Sequence, residues 1–100
     1  MKLQMQSIHF TAASALKEYT REKVEKLEHF YDRIIEGEVF FKLQNEVKEA
    51  NKRVEVKIHV PGETLIASEQ GQSFEEAVDL VSDKLRRQLL KYKGKQQAHH

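Results

Sequence analysis

The stretch Arg53-Val54-Glu55-Val56-Lys57-Ile58-His59-Val60-Pro61-Gly62-Glu63-Thr64-Leu65-Ile66-Ala67-Ser68-Glu69 decides the fold class. From Arg53 to Val60 every second residue is aliphatic (Val54, Val56, Ile58, Val60) and the residues between them are polar. That is the period of a strand with one face in a core and the other in water. Pro61-Gly62 then makes a tight turn, because proline fixes its own φ and glycine accepts backbone angles that side chains resist. Beyond the turn Leu65 and Ala67 alternate with Ile66 and Ser68 up to Glu69, which predicts a second strand antiparallel to the first.

On the C-terminal side, Gly71 punctuates the strand and Ser73-Phe74-Glu75-Glu76 reads as a capping box. The Ser73 hydroxyl can accept from the amide of residue 76 and the Glu76 carboxylate can reach back to the amide of residue 73. A helix follows, with the apolar stripe Phe74, Ala77, Val78, Val81, Leu85, Leu89 and Tyr92, and it is expected to stop near Gly94.

On the N-terminal side, Val39, Phe41 and Leu43 share one face of a strand over residues 38–44, and residues 45–52 read as a long solvated loop joining it to the hairpin. Residues 14–31 carry Leu16, Tyr19, Val24, Leu27 and Tyr31 on one helical face and charged residues on the other, with Glu22 and Lys26 set for an i,i+4 pair. Leu3, Met5, Ile8 and Phe10 suggest an edge or bulged strand before that helix.

The order is strand, helix, three strands, helix. Two amphipathic helices on a meander can bury both stripes only by lying on the same face of the sheet. The expected fold is therefore α+β, a two-layer β-α-β-β-β-α sandwich with a four-stranded sheet. Residues 1–95 form one domain, and the polar residues 96–100 read as a disordered tail in which His99-His100 resembles a purification-tag remnant.

Composition narrows the function classes. One hundred residues make one domain, and 39% hydrophobic with 33% charged residues suits a folded, water-soluble chain. No apolar run approaches a membrane span and no secretory signal core is visible, so the expected place is the cytoplasm with no membrane partner. With no cysteine there is no disulfide frame and no thiolate.

Catalysis finds no support. The chain has no glycine-rich phosphate loop, nucleophile elbow or His-Glu metal helix. The histidines at 9, 29, 59, 99 and 100 include no i,i+4 pair and no neighbouring carboxylate or thiol that would suggest a zinc set, so no metal and no cofactor are expected and His59 reads as a solvent-facing strand residue.

Charge is the informative feature, although the formal net charge is only +1. Residues 72–83 hold four acids (Glu75, Glu76, Asp79, Asp83) and no base, whereas residues 84–95 hold six bases (Lys84, Arg86, Arg87, Lys91, Lys93, Lys95) and no acid. Acids at a helix N-terminus and bases at its C-terminus complement the macrodipole, but that effect fades within one turn. Here the bases begin two to three turns from the end, and Lys84, Arg87 and Lys91 at spacings of three and four form a stripe. The first helix adds Lys17, Arg21, Lys23 and Lys26, which could line a groove between the helices. With few aromatics among the bases, the pattern suits phosphate and shape recognition of structured RNA better than base stacking. The competing readings are a protein–protein module using the acidic half of the last helix and the sheet edge, and a generic duplex-RNA binder.

Three blocks of the chain resemble one known family. They are residues 15–27 (Ala15-Leu16-Lys17-Glu18-Tyr19 through Glu22-Lys23-Val24-Glu25-Lys26-Leu27), residues 53–67, and Ala77-Val78-Asp79-Leu80 with residues 83–93 (Asp83 to Lys93). They are similar, in the right order, to the ribosome hibernation promoting factors, also called ribosome-associated inhibitor or ribosomal subunit interface proteins. The resemblance implies a fold akin to double-stranded RNA-binding domains. It also implies a non-enzymatic factor that binds rRNA of the small ribosomal subunit where messenger and transfer RNA would sit, and that blocks translation under stress or in stationary phase. The same family carries the name sigma factor modulation protein. Partners implied are the small subunit, its rRNA and, for a short form such as this one resembles, a ribosome-dimerisation partner, with no small-molecule substrate. Carried over by position, the rRNA-contacting bases would be Lys23, Lys26, Lys84, Arg87 and Lys91, and the basic block adds Arg86 and Lys93. Where the family starts its first helix with Thr-Pro this chain has Ala13-Ser14, so a cap from Thr11 or Ser14 is expected.

Overall fold

The computed structural model of the chain describes residues 1–44 and 51–97. The loop expected over residues 45–52 lies for the most part outside the described residues, as does the end of the expected tail.

The hairpin forms as its pattern demands. Strand β3 (Lys52–Val60) pairs antiparallel with β4 (Glu63–Gly71), Val60 facing Glu63 across the two-residue turn, where Gly62 takes φ +88°. Val54, Val56, Ile58 and Val60 are at most 3% exposed, so the aliphatic face is the core face. Strand β2 (Glu36–Leu43) pairs antiparallel with the other edge of β3 and sets Val39 opposite Val56 and Phe41 opposite Val54. Strand β1 (Lys2–Ile8) adds in parallel to β2, giving the order β1-β2-β3-β4 with β1 and β4 at the edges. The edge strand ends at Ile8 rather than reaching Phe10: His9, at φ +68°, turns the chain away, and the Phe10 ring stacks on Phe74 with centroids 5.1 Å apart.

A parallel neighbour needs a crossover, and helix α1 (Ser14–Glu25) supplies it. The single helix expected over residues 14–31 is shorter: Lys26–His29 tightens into a 3-10 helix, where the Leu27 carbonyl accepts from the amides of both Phe30 and Tyr31. The buried stripe continues through it as Leu16, Thr20, Val24, Leu27 and Tyr31. Thr20 fills the gap in the apolar sequence pattern because its hydroxyl donates to the Leu16 carbonyl at 2.8 Å and is thereby satisfied inside the core. The expected cap from Thr11 or Ser14 is not made; the helix begins at an extended Ala13 without a side-chain hydrogen bond. The i,i+4 pair seen here is Arg21–Glu25, at 3.8 Å, not Glu22–Lys26.

Helix α2 (Phe74–Gln97) begins where the capping signal places it, the Glu76 amide donating to the Ser73 hydroxyl at 3.1 Å. It runs through Gly94 to Gln97, past the expected stop and into the segment expected to be tail. The stop signal is weak against packing. The Tyr92 ring meets Tyr31 edge-to-face at 5.3 Å, and its hydroxyl donates to the Pro61 carbonyl at 2.6 Å, anchoring the last turns to the β3–β4 turn. Both helices cover one face of the sheet and touch each other, and Val78, Val81, Leu85 and Leu89 complete the core. The α+β two-layer arrangement is the expected one. The opposite sheet face carries the alternate, half-buried or exposed residues of every strand.

Candidate nucleic-acid interface

The α1 segment with its 3-10 extension and helix α2 meet in the same order along their lengths. Tyr19 and Lys23 of α1 meet Asp79 near the start of α2, Phe30 lies under Arg86, and Tyr31 meets Tyr92 near its end. The helices are therefore parallel. The basic half of α2 accordingly lies beside Phe30 and Tyr31, which follow α1, whereas Lys23 of α1 lies beside the acidic half.

At 100° per residue the bases of α2 fan out over three directions. Lys84, Lys91 and Lys95 flank β4, Arg87 points outward, and Arg86 and Lys93 flank α1. Contacts on both sides agree with this placing. Gln88, in line with Lys84 and Lys91, donates to the Ile66 carbonyl of β4 at 2.9 Å. Lys93 lines a cleft with Glu28, His29, Phe30, Tyr31 and Asp32, while Lys91 and Lys95 line another with Glu63, Leu65, Gln88 and Tyr92.

Ion pairs sort the seven expected cations into two kinds. Lys23 reaches Asp79 at 3.3 Å and lies over the Tyr19 ring at 5.6 Å. Lys84 reaches Glu69 of β4 at 2.9 Å, and Arg86 reaches Asp83 at 3.9 Å with its guanidinium 6.0 Å from the centre of the Phe30 ring. These three are tethered to the fold. Among the described residues, Lys26, Arg87, Lys91 and Lys93 make no ion pair within 4.0 Å, and all four are exposed. The stripe is thus interrupted at Lys84, and Asp79 sits in the inter-helix groove beside Lys23. Lys95, beside Lys91, is the base that the sequence reading left out of the site; its helical spacing of four from Lys91 is the signal that could have included it.

Two tyrosines lock this geometry. Tyr19 donates to Asp79 Oδ1 at 2.6 Å, and that bond, with burial and the Asp79 charge, pushes its phenol up to about 12. Burial first, then its neighbour Tyr31, pushes Tyr92 up to about 12 as well. Both stay protonated donors across neutral pH, so the frame that carries the cations does not titrate there. A surface that carries exposed cations without ion-pair partners among the described residues can neutralise phosphates.

Comparison with known proteins identifies the family. Residues 3–97 match the family described as sigma 54 modulation protein / S30EA ribosomal protein. The ribosome hibernation promoting factor of Azotobacter vinelandii is 32% identical over 96 residues, which covers 96% of this chain and 86% of that protein. That of Escherichia coli K12 is 34% identical over 99 residues, 99% of this chain and 100% of that protein. Among solved structures, a ribosomal subunit interface protein from Coxiella burnetii superposes with a TM-score of 0.82 at 29% identity, covering 94% of this chain and 99% of that one. The N-terminal domain of Thermus thermophilus protein Y, at 19% identity and a TM-score of 0.80, covers 92% of this chain and 99% of that one and shares the fold. Among the described residues no helix is long and apolar enough to cross a membrane.

Proposed function

Because the chain belongs to the sigma 54 modulation protein / S30EA ribosomal protein family, we propose that it is a ribosome hibernation factor. It binds rRNA of the small ribosomal subunit in the channel for messenger and transfer RNA and blocks translation in stressed or stationary-phase cells. It acts in the cytoplasm by occupying that channel, without catalysis, cofactor or small-molecule substrate. The observation that carries the reading is the set of exposed cations that make no ion pair among the described residues: Arg87, Lys91 and Lys93 on the second half of α2, and Lys26 on the 3-10 helix that follows α1. Each cation that displaces counterions from a phosphate adds affinity that salt removes. Lys23, Lys84 and Arg86 are already tethered to acids of the fold. The acidic half of α2 offers less to a protein partner than its sequence suggests, since Asp79 is held by Tyr19 and Lys23 and Asp83 lies beside Arg86. A ribosome-dimerisation partner, as the family resemblance implies, would join the complex on the ribosome.

Sucrose-gradient sedimentation with purified ribosomes tests the reading. The protein should move with the small subunit and the whole ribosome at low salt, leave them at high salt, and be displaced by initiator transfer RNA. The variant Arg87→Glu/Lys91→Glu should stay at the top of the gradient while keeping its fold. Wild-type protein left at the top at every salt would overturn the reading, and equal binding to naked duplex RNA would replace it with generic RNA recognition.

A further inference from the structure

Strand pairing gathers three metal-ligating side chains on the sheet face that the helices leave uncovered. Glu36 of β2 is the register partner of His59 on β3, and Glu38 follows two residues on, so all three project from the same face. One ligand atom from each lies within 4.8 Å of the other two.

The state of the imidazole is the telling observation. Its Nδ1 lies 3.0 Å from the Thr64 hydroxyl on β4, its register partner there. Its Nε2 is shielded from solvent and, among the described residues, has no hydrogen-bond partner. Glu38 Oε1 stands 3.6 Å away, too far for a hydrogen bond. It is close to the ~3.4 Å that separates two ligands each about 2.1 Å from one tetrahedral cation. A histidine that bonds an oxygen through one ring nitrogen and turns the other toward carboxylates is arranged as metal-bound histidines are, the outer oxygen fixing tautomer and ring plane. The Lys57 ammonium, which could have competed for Glu38 as its register partner, lies instead over the Phe40 ring at 5.6 Å.

We propose that Glu36, Glu38 and His59 bind a divalent transition cation of the Zn²⁺ class, with His59 coordinating through Nε2. One nitrogen and two carboxylate oxygens suit a borderline cation better than Mg²⁺ or Ca²⁺, which prefer oxygen ligands throughout. Three protein ligands leave the fourth tetrahedral position to water or to an anionic group of a partner. The cation fastens β2 to β3 on the face opposite the basic helices, and Thr64 is a positioning residue for it.

The test is titration of the full chain with Zn²⁺ in metal-free buffer, in a His99→Ala/His100→Ala background so that the adjacent C-terminal histidines do not chelate. Calorimetry gives stoichiometry and affinity, and imidazole ¹⁵N NMR reports on His59 itself. Expected are one Zn²⁺ per chain, a shift of the His59 Nε2 resonance on binding, and affinity lowered at least about tenfold by His59→Gln, Glu38→Gln or Glu36→Gln. Thr64→Val should weaken binding by about tenfold while leaving all three ligands in place. Zn²⁺ uptake that vanishes with His99→Ala/His100→Ala, uptake that His59→Gln leaves unchanged, or an Nε2 resonance that Zn²⁺ does not move would each overturn the proposal. The NMR readout on the chain with His59 intact decides the matter even if a ligand variant misfolds.

Discussion

The split between tethered and free cations predicts a specific pattern of salt dependence. Arg87 is exposed on the outward line of α2, whereas Lys84 is held 2.9 Å from Glu69. Each cation newly placed on a phosphate contributes roughly 0.7–0.9 to the log–log slope of affinity against salt. The four free cations predict a slope of about 3, so raising monovalent salt from about 50 to 200 mM should weaken ribosome binding about 50- to 150-fold. Arg87→Gln should lower the slope by about 0.8, removing about threefold of that loss. Lys84→Gln should leave the slope nearly unchanged, because its charge is already countered in the free protein. Glu69→Gln, which releases Lys84, should raise the slope by up to about 0.8. The assay is equilibrium binding of labelled protein to purified small subunits across that salt range at constant Mg²⁺. Equal slopes for wild type and Arg87→Gln, or a fall for Lys84→Gln as large as for Arg87→Gln, would refute the division drawn from the ion pairs.

Three further predictions concern the frame. Tyr92→Phe removes the bond to the Pro61 carbonyl while keeping the ring against Tyr31, and should cost about 1 kcal/mol, seen as a melting temperature about 4–8 °C lower. The phenols of Tyr19 and Tyr92 sit near 12 in the folded chain and near the ordinary value of 10 when it unfolds, so the unfolded state releases their protons first. Stability should therefore fall as pH rises from 10 through about 12, and Tyr19→Phe/Tyr92→Phe should flatten that fall in denaturant titrations; a profile as steep as wild type in the double variant would contradict the assignment. Thr20→Val removes a buried hydroxyl whose acceptor, the Leu16 carbonyl, also belongs to the helix ladder, so it should be near neutral in chemical denaturation, whereas Thr20→Ala opens a cavity and should destabilise by a clear margin.

The architecture was legible because it rests on local periods. Alternation in residues 53–60, the Pro61-Gly62 turn and the Ser73 cap each act over a few residues, and β3, β4 and the start of α2 fall where those signals place them. Boundaries were less legible where distant packing competes with a local preference. Gly94 marked an end for α2, yet Tyr92 is anchored to Tyr31 and Pro61, and the helix continues to Gln97. The stripe of α1 lacked a member until Thr20, polar by type, satisfied its hydroxyl on its own helix and entered the core. His59 lies on the outer sheet face as its strand position implies, but its carboxylate neighbours were not legible, because Glu36 and Glu38 lie more than twenty residues away and only the β2–β3 register brings them beside it.

The sequence by itself determined which residues are cationic and that they concentrate in the second half of α2, since charge and helical spacing are properties of the chain. Tertiary structure decided what those charges can do. It made the helices parallel and placed Glu69 against Lys84 and Asp79 against Lys23, which leaves other bases of α2 without an acid within 4.0 Å among the described residues. Coulomb energy depends on distance through space, and the distance between residues far apart in the chain is fixed only when strands choose their register and helices their packing partners.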